Sequence, residues 1–308
     1  MYGQASMNYL KDRNNLKNTS QLIYLNLGVF LISTSGIFGR LVELSPELTI
    51  FYRCVLAASL LWIYIKFSRL QIGVSQKSDL KYILIGGALM ALHWVSYFYS
   101  LKLSNIAIAM LTLHTFPVMT AIIEPFVLKT KFQSYHIVLA LLVLVGVWII
   151  LPSFDLTDSI VLATLCGLVS ALAYSLRNIW TRKIMIRYNA SVMMYYQLLI
   201  IAALLSPFLF FMDSLPLKTD WYYIVALALM TTVLGHTLLV NSLKYFSAIT
   251  VGLLSSIIPV YGIMWGIFFL SEYPDLKTVL GGTLIMLSFF TETVFASKLS
   301  QKTNRIKA

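Results

Sequence analysis

The chain has 308 residues, of which 59% are hydrophobic and 11% charged, against about 25% charged residues in an ordinary soluble domain. That balance excludes a water-soluble globular protein. The net charge of +11 does not make it a nucleic-acid binder, because the basic residues fall in short segments between apolar runs rather than on one packed face.

The chain opens with a basic, polar stretch containing Lys11, Arg13 and Lys17. It leads into an apolar run of spanning length with no small-residue cleavage site, so a retained first helix is expected. Apolar runs bounded by charges and turn residues then predict spans at residues 22–39, 48–67, 82–101, 105–128, 135–151, 160–180, 190–212, 221–243, 247–270 and 276–296. These approach the roughly 20 residues a helix needs to cross the hydrocarbon core, and none shows the short alternating pattern of a barrel strand. The connections are too short for a soluble domain, which places function inside the bundle. Cys54 and Cys166 both lie in apolar spans, giving neither a disulfide framework nor a metal-binding spacing.

Lysine and arginine set the orientation. With the N-terminus inside, 18 of the 23 fall on the cytoplasmic side, Arg177, Arg182, Lys183 and Arg187 among them. The opposite side keeps Arg40, Lys102, Lys218 and Lys277, and Arg53 lies within a span. The bias alternates correctly through ten spans, which predicts both termini in the cytoplasm.

Sliding the chain by 142 residues places Ser100, Leu101 and Lys102 on Ser242, Leu243 and Lys244, and Pro117 on Pro259, without a gap. Span three then falls on span eight, four on nine and five on ten. Five is odd, so the second copy enters the membrane from the opposite side, the inverted-repeat plan by which transporters build a site at the midplane. The expected fold is all-α integral membrane, with ten transmembrane helices in two inverted five-helix repeats. Its expected divisions are a tail at 1–20, repeats at 21–152 and 153–297, and a second tail at 298–308.

The stretch from Tyr97 to Leu128, and its counterpart from Leu239 to Leu270 with SEYPDLKTVLGGTLIM following, resemble the two EamA repeats of the drug/metabolite transporter superfamily. The pattern comprises an aromatic-rich third helix ending in Ser-Leu, a helix with a central proline, an acidic loop residue and a Gly-containing last helix. Glu272 holds the loop position in the second repeat and Thr130 in the first. The family's arginine early in the second helix is matched by Arg53, where the second copy offers Gln197. The resemblance implies a secondary transporter of the bacterial inner membrane, exporting amino acids or related amphipathic metabolites. The alternative cargoes are drugs or organic cations, and nucleosides or nucleotide sugars. A cation exporter should show a cavity carboxylate, and only Glu124 qualifies.

Helical spacing nominates the cavity walls. Met90, Trp94, Tyr97 and Leu101 share one face of span three, and Met110, His114, Pro117 and Ala121 one face of span four. Their repeat mates set His236 against Trp94, Ser256 against His114 and Gly252 against Met110. His114 and His236 should face protein or water, where they bind substrate, exchange protons, or simply donate one hydrogen bond to a neighbouring helix. His93 lies on an adjacent face, and His136, at the start of span five, reads as interfacial. Pro117 and Pro259 each remove a backbone bond mid-span, as a hinge or as a packing kink. Arg53 is close enough to its helix end to snorkel, so a salt bridge, a headgroup contact and an anion site all remain open. Glu124 is the sole carboxylate offered for proton coupling, or else it pairs with a lysine near the interface. Tyr174, Asn178, Tyr196 and Gln197, with Ser35 and Asn26, extend a polar and aromatic set.

No G-x-x-x-x-G-K-[ST] loop or H-E-x-x-H motif is present, so neither ATP, a metal nor a cofactor is expected. A membrane enzyme would need a nucleophile with a base, or paired acids, and no such constellation is seen. A sensor would more naturally carry a soluble domain. The expected partners are a small-molecule substrate and the bilayer, with room for a homodimer where Gly281 and Gly282 permit close approach of the last helices.

Overall fold

The structure, a computed structural model, describes residues 20–129, 132–153, 155–185, 187–211, 216, 218–242 and 254–307. Among them ten helices follow in chain order at the places that hydropathy predicts. The first five are α1 Ser20–Leu41, α2 Pro46–Phe67, α3 Leu80–Leu103, α4 Ile106–Leu128 and α5 Tyr135–Ile150. The second five are α6 Ser159–Met185, α7 Ala190–Leu205, α8 over 218–242, α9 Ile258–Leu270 and α10 Leu276–Lys307. Seven of them, α1 to α4 and α6 to α8, are long and apolar enough to cross a membrane, and α5 and α9 are shorter apolar helices. No strand occurs among the described residues. This is an all-α, multi-pass membrane protein. The N-terminal tail, Thr130, Lys244, Gly252 and the first part of the predicted ninth span lie outside the described residues.

The internal repeat is visible in backbone geometry. After its first half, Ile106–Leu113, α4 breaks at His114 and Thr115, resumes as Phe116–Leu128, and stops on Lys129 in the left-handed region. In the second repeat a turn at 256–257 precedes α9, which stops on Ser271 in the same conformation. Helix start, helix end and left-handed cap therefore recur at the 142-residue spacing of the prolines. Pro117 and Pro259 both stand in the first turn of the resumed helix, where no intrahelical partner for an N–H exists. The expected bend is thus a full break, and it carries His114 as the residue that ends the first half of α4.

Lipid offers no hydrophobic drive for helix association, so close approach of backbones through small residues matters more than apolar area. The first helix of each repeat crosses onto the other repeat. α6 packs along α3 and against the second half of α4. In the mirrored arrangement α1 crosses α8 where a Cβ at Gly28 would lie 3.1 Å from the Gly235 carbonyl oxygen. It also meets α9, where Tyr261 donates to Asn26 Oδ1 at 3.0 Å and Trp265 Nε1 donates to Ser33 Oγ at 3.0 Å. α5 and α10 meet at Gly146 and Gly281, where a Cβ on Gly146 would sit 2.7 Å from the Gly281 carbonyl oxygen. Gly282 faces Leu111. The two glycines that the sequence offers to a second copy are thus engaged within one chain.

Polar contacts between the repeats tie both ends of the bundle, in matched sets. At one end Arg40 Nε of α1 donates to Glu272 Oε1 at 2.9 Å, and Glu272 Oε2 accepts from the Ile106 N–H at the start of α4 at 2.9 Å. At the other end Arg182 of α6 pairs with Glu124 of α4. Arg40 and Arg182 stand 142 residues apart. Likewise Asp220, at the start of α8, accepts from the Glu43 N–H just after α1 at 2.7 Å. Asp79, at the start of α3, holds Arg187 and Tyr188 just after α6, the tyrosine hydroxyl at 3.0 Å.

Candidate functional site

About half-way along the helices, where the repeats meet, lies a cavity of about 310 Å³ with mostly apolar and aromatic walls, within the range of small-ligand sites. Its charged group is Arg53. α2 starts at Ser45, whose hydroxyl accepts from the Leu48 N–H, with Pro46 as the first helical residue, and this places Arg53 two turns inside. Its side chain does not snorkel to the surface. The residue is 2% exposed. Nε donates to Thr232 Oγ1 at 2.9 Å and Nη2 to Thr231 Oγ1 at 3.0 Å. The guanidinium carbon stands 4.3 Å from the centroid of a Trp94 ring.

Two consecutive threonines reach one guanidinium because α8 widens to a π-helical stretch over Leu227–Gly235, a distortion common at functional sites. Thr231 donates its own hydroxyl proton to Leu227 O at 2.6 Å, leaving its oxygen free to accept from Arg53.

Three imidazoles share the cavity wall with this group. His93 Nδ1 lies 2.8 Å from Ser170 Oγ, and that hydroxyl donates to His93 O, so the imidazole must donate in return. His93 also stacks on Tyr174, centroids 4.6 Å apart. His114 Nδ1 lies 2.7 Å from Met110 O; a carbonyl can only accept, so the proton is on Nδ1 and the neutral ring keeps Nε2 as an acceptor. His236 lies within electrostatic reach of both Arg53 and Arg177.

Of the residues singled out from sequence, Arg53, Trp94, Tyr97, His114, Pro117, Tyr174 and His236 line this cavity. Ser256 instead faces a second pocket, with Leu111 and Gly282, and its neighbour Ser255 lines the cavity. The residue falls at a helix break, where regular spacing no longer decides direction. Pro259 is buried in α9. Asn178 accepts from Arg177 Nη1 at 2.9 Å and is not in the cavity wall. Glu124 is also remote from the cavity, paired with an arginine rather than a lysine.

Two functional candidates escape sequence reasoning. Arg177, assigned by the positive-inside count to the cytoplasmic side, sits two turns inside α6. Its guanidinium donates to Gln197 Oε1, and it lines a smaller pocket of about 120 Å³ that shares Tyr174 and His236 with the cavity. Its spacing of three from Tyr174, opposite a buried glutamine, was the available signal. Glu292 lies one turn beyond the cavity residue Phe289 on α10, with Oε2 3.4 Å from His136 Nε2. His136, at the start of α5, is buried, and Glu292 stands within electrostatic reach of Glu124 at that end of the bundle. Among the described residues no Asp or Glu lines the cavity or the adjoining pocket.

The profile of the EamA-like transporter family matches residues 19–151 and 161–291, its two copies beginning 142 residues apart. The chain belongs to the EamA-like transporter family. It is a transporter and not an enzyme. Among the relatives of this EamA-like transporter is a protein of Pseudomonas aeruginosa described as pseudopaline exporter CntI, 24% identical over 241 residues, covering 78% of this chain and 83% of the relative. The corresponding exporter of a second strain is 25% identical over 242 residues, with the same coverage. An uncharacterized transporter of Helicobacter pylori is 26% identical over 253 residues, covering 79% of this chain and 84% of the relative. A solved crystal structure matches with a TM-score of 0.64 at 19% identity over 90% of this chain and 99% of that one, which shows the same fold.

Proposed function

We propose that this EamA-like transporter is a secondary exporter of small amphipathic metabolites such as amino acids, working by alternating access in the bacterial inner membrane with both termini in the cytoplasm. The observation that carries the reading is the cavity between the repeats, whose aromatic walls also carry an arginine and imidazoles. Two relatives are described as pseudopaline exporters, which supports the direction of transport.

In the proposed cycle the repeats, spanning 21–152 and 153–297, rock against each other so that the contacts at one mouth break as those at the other form. The Arg40 end faces the periplasm and the Arg182 end the cytoplasm, as the distribution of Lys and Arg favours. The helix breaks before Pro117 and Pro259 supply the hinges. The two ends are not equally closed. Arg40 is 29% exposed and Glu272 15%, whereas Arg182 is 65% exposed and Glu124 27%, so the periplasmic contact is the more enclosed. A homodimer would use a face other than Gly281 and Gly282. Organic cations are disfavoured because the described residues place no carboxylate in the cavity wall.

Counterflow of radiolabelled amino acids, nucleosides and organic cations in proteoliposomes tests the reading. Saturable amino-acid flux, lost in His114→Ala and Trp94→Ala, is expected. Absence of flux for all three classes would remove it, and flux for cations alone would reassign the cargo.

A further inference from the structure

We infer that the substrate presents a carboxylate or an equivalent anionic group to Arg53, with Arg177 as a second cation on its path. The inference rests on the cavity being the transport site and names the chemical class that the cavity takes.

A cation deep in a membrane protein is costly unless it is paired, and such groups mark substrate or ion pathways. Arg53 has three conceivable reasons to be charged and buried. A structural ion pair needs an acid, and among the described residues none lies within ion-pair distance of it. A lipid headgroup contact needs an exposed head, and Arg53 is 2% exposed. What remains is a charge supplied by a ligand in the cavity that the side chain lines. Two threonine hydroxyls and an indole face orient the guanidinium without neutralising it. They occupy Nε and Nη2 and leave Nη1 for a ligand.

Arg177, partly buried, is likewise without an acidic partner among the described residues. Its partners are the neutral amide oxygens of Gln197 and Asn178. Arg177 Nε is buried without a hydrogen-bond partner, so that a donor of a residue lining the smaller pocket lacks an acceptor. His236 touches both pockets. A cationic substrate would meet two fixed positive charges, while a neutral one would leave both uncompensated. A carboxylate matches the planar guanidinium fork in charge and in shape.

The test is thermal unfolding of the full-length protein in detergent with matched acid and amide pairs: propionate and propionamide, 3-phenylpropionate and 3-phenylpropionamide, N-acetylhistidine and its amide. At least one acid should raise the unfolding temperature where its amide does not. Arg53→Gln should erase that preference, and Arg53→Lys should keep it with affinity weaker by about tenfold, since a point charge replaces a fork. Amides that stabilise as well as acids, no response to any acid, or a preference that survives Arg53→Gln would each overturn the inference. Because binding is read without transport, acid-selective stabilisation with no flux in proteoliposomes would sink the exporter reading and leave the anion site standing.

Discussion

A guanidinium over an indole gains from the negative face of the ring, and gains more when both are removed from water, as Arg53 and Trp94 are. The pair therefore serves as a preformed platform: Trp94 holds the guanidinium flat while Thr231 and Thr232 hold its other edge. Trp94→Leu should weaken substrate affinity by about tenfold, the equivalent of 1–2 kcal/mol of cation–π contact, with Trp94→Phe losing less. The half-saturation concentration in counterflow reads this directly; equal losses for Phe and Leu would assign Trp94 a role of volume alone. Trp94 and Tyr97 were legible as cavity residues because they sit on regular helix, and His114 because it directly follows one. Arg177 was not, since a loop-side count of positive charges cannot distinguish a basic residue at a helix end from one folded back inside it.

Small residues let helix backbones approach closely here, and the α5–α10 seam is the clearest case. Added atoms at Gly281 run into the Gly146 backbone and Ile150. Gly281→Leu should cost about 1–3 kcal/mol through overpacking, seen as a lower unfolding temperature, whereas the exposed Val279 should accept leucine without penalty. The start of α10 depends on a cap. Asp275 Oδ1 accepts from the Thr278 N–H at 2.9 Å, and the Thr278 hydrogen bonds hold its carboxyl below the usual carboxylate range. A carboxyl lowered in the folded state contributes stability above its unfolded value, near ~3.9, and loses it as pH falls through the lower folded one. Asp275→Ala should therefore destabilise by about 1 kcal/mol at neutral pH. The gap from wild type should narrow below about pH 4; a gap constant with pH would show that the carboxylate charge is not what caps the helix.

Across the whole molecule, the two ends carry symmetry-related contacts, and alternating access requires that each set oppose the other. Removing a contact at one mouth should shift the population toward the state open there. The reporter is Ser35→Cys in the cavity wall, with Cys54 and Cys166 replaced by alanine, labelled by a membrane-impermeant maleimide from the Arg40 side. Glu272→Gln should speed labelling and Arg182→Gln should slow it. Changes of the same sign would mean that the pairs are structural ties and not gates. The stability effect of Arg182→Gln should be small, under about 1 kcal/mol for so exposed a pair.

Sequence by itself determined the ten helices, the five-helix repeat and its inversion, because apolar length, charge bias and a rigid 142-residue register are one-dimensional properties that the bilayer imposes on the chain. It also determined most of the cavity wall, wherever residues lay on unbroken helix. Tertiary structure alone decided that Arg53 turns inward with no acid paired to it among the described residues, that a π-helical stretch brings Thr231 and Thr232 to it, and that Ser255 rather than Ser256 faces the cavity. It alone paired Arg40 with Glu272 and Arg182 with Glu124. Those partners lie 232 and 58 residues apart along the chain. They meet because each repeat lends its first helix to the other, an exchange that periodicity within one segment does not record.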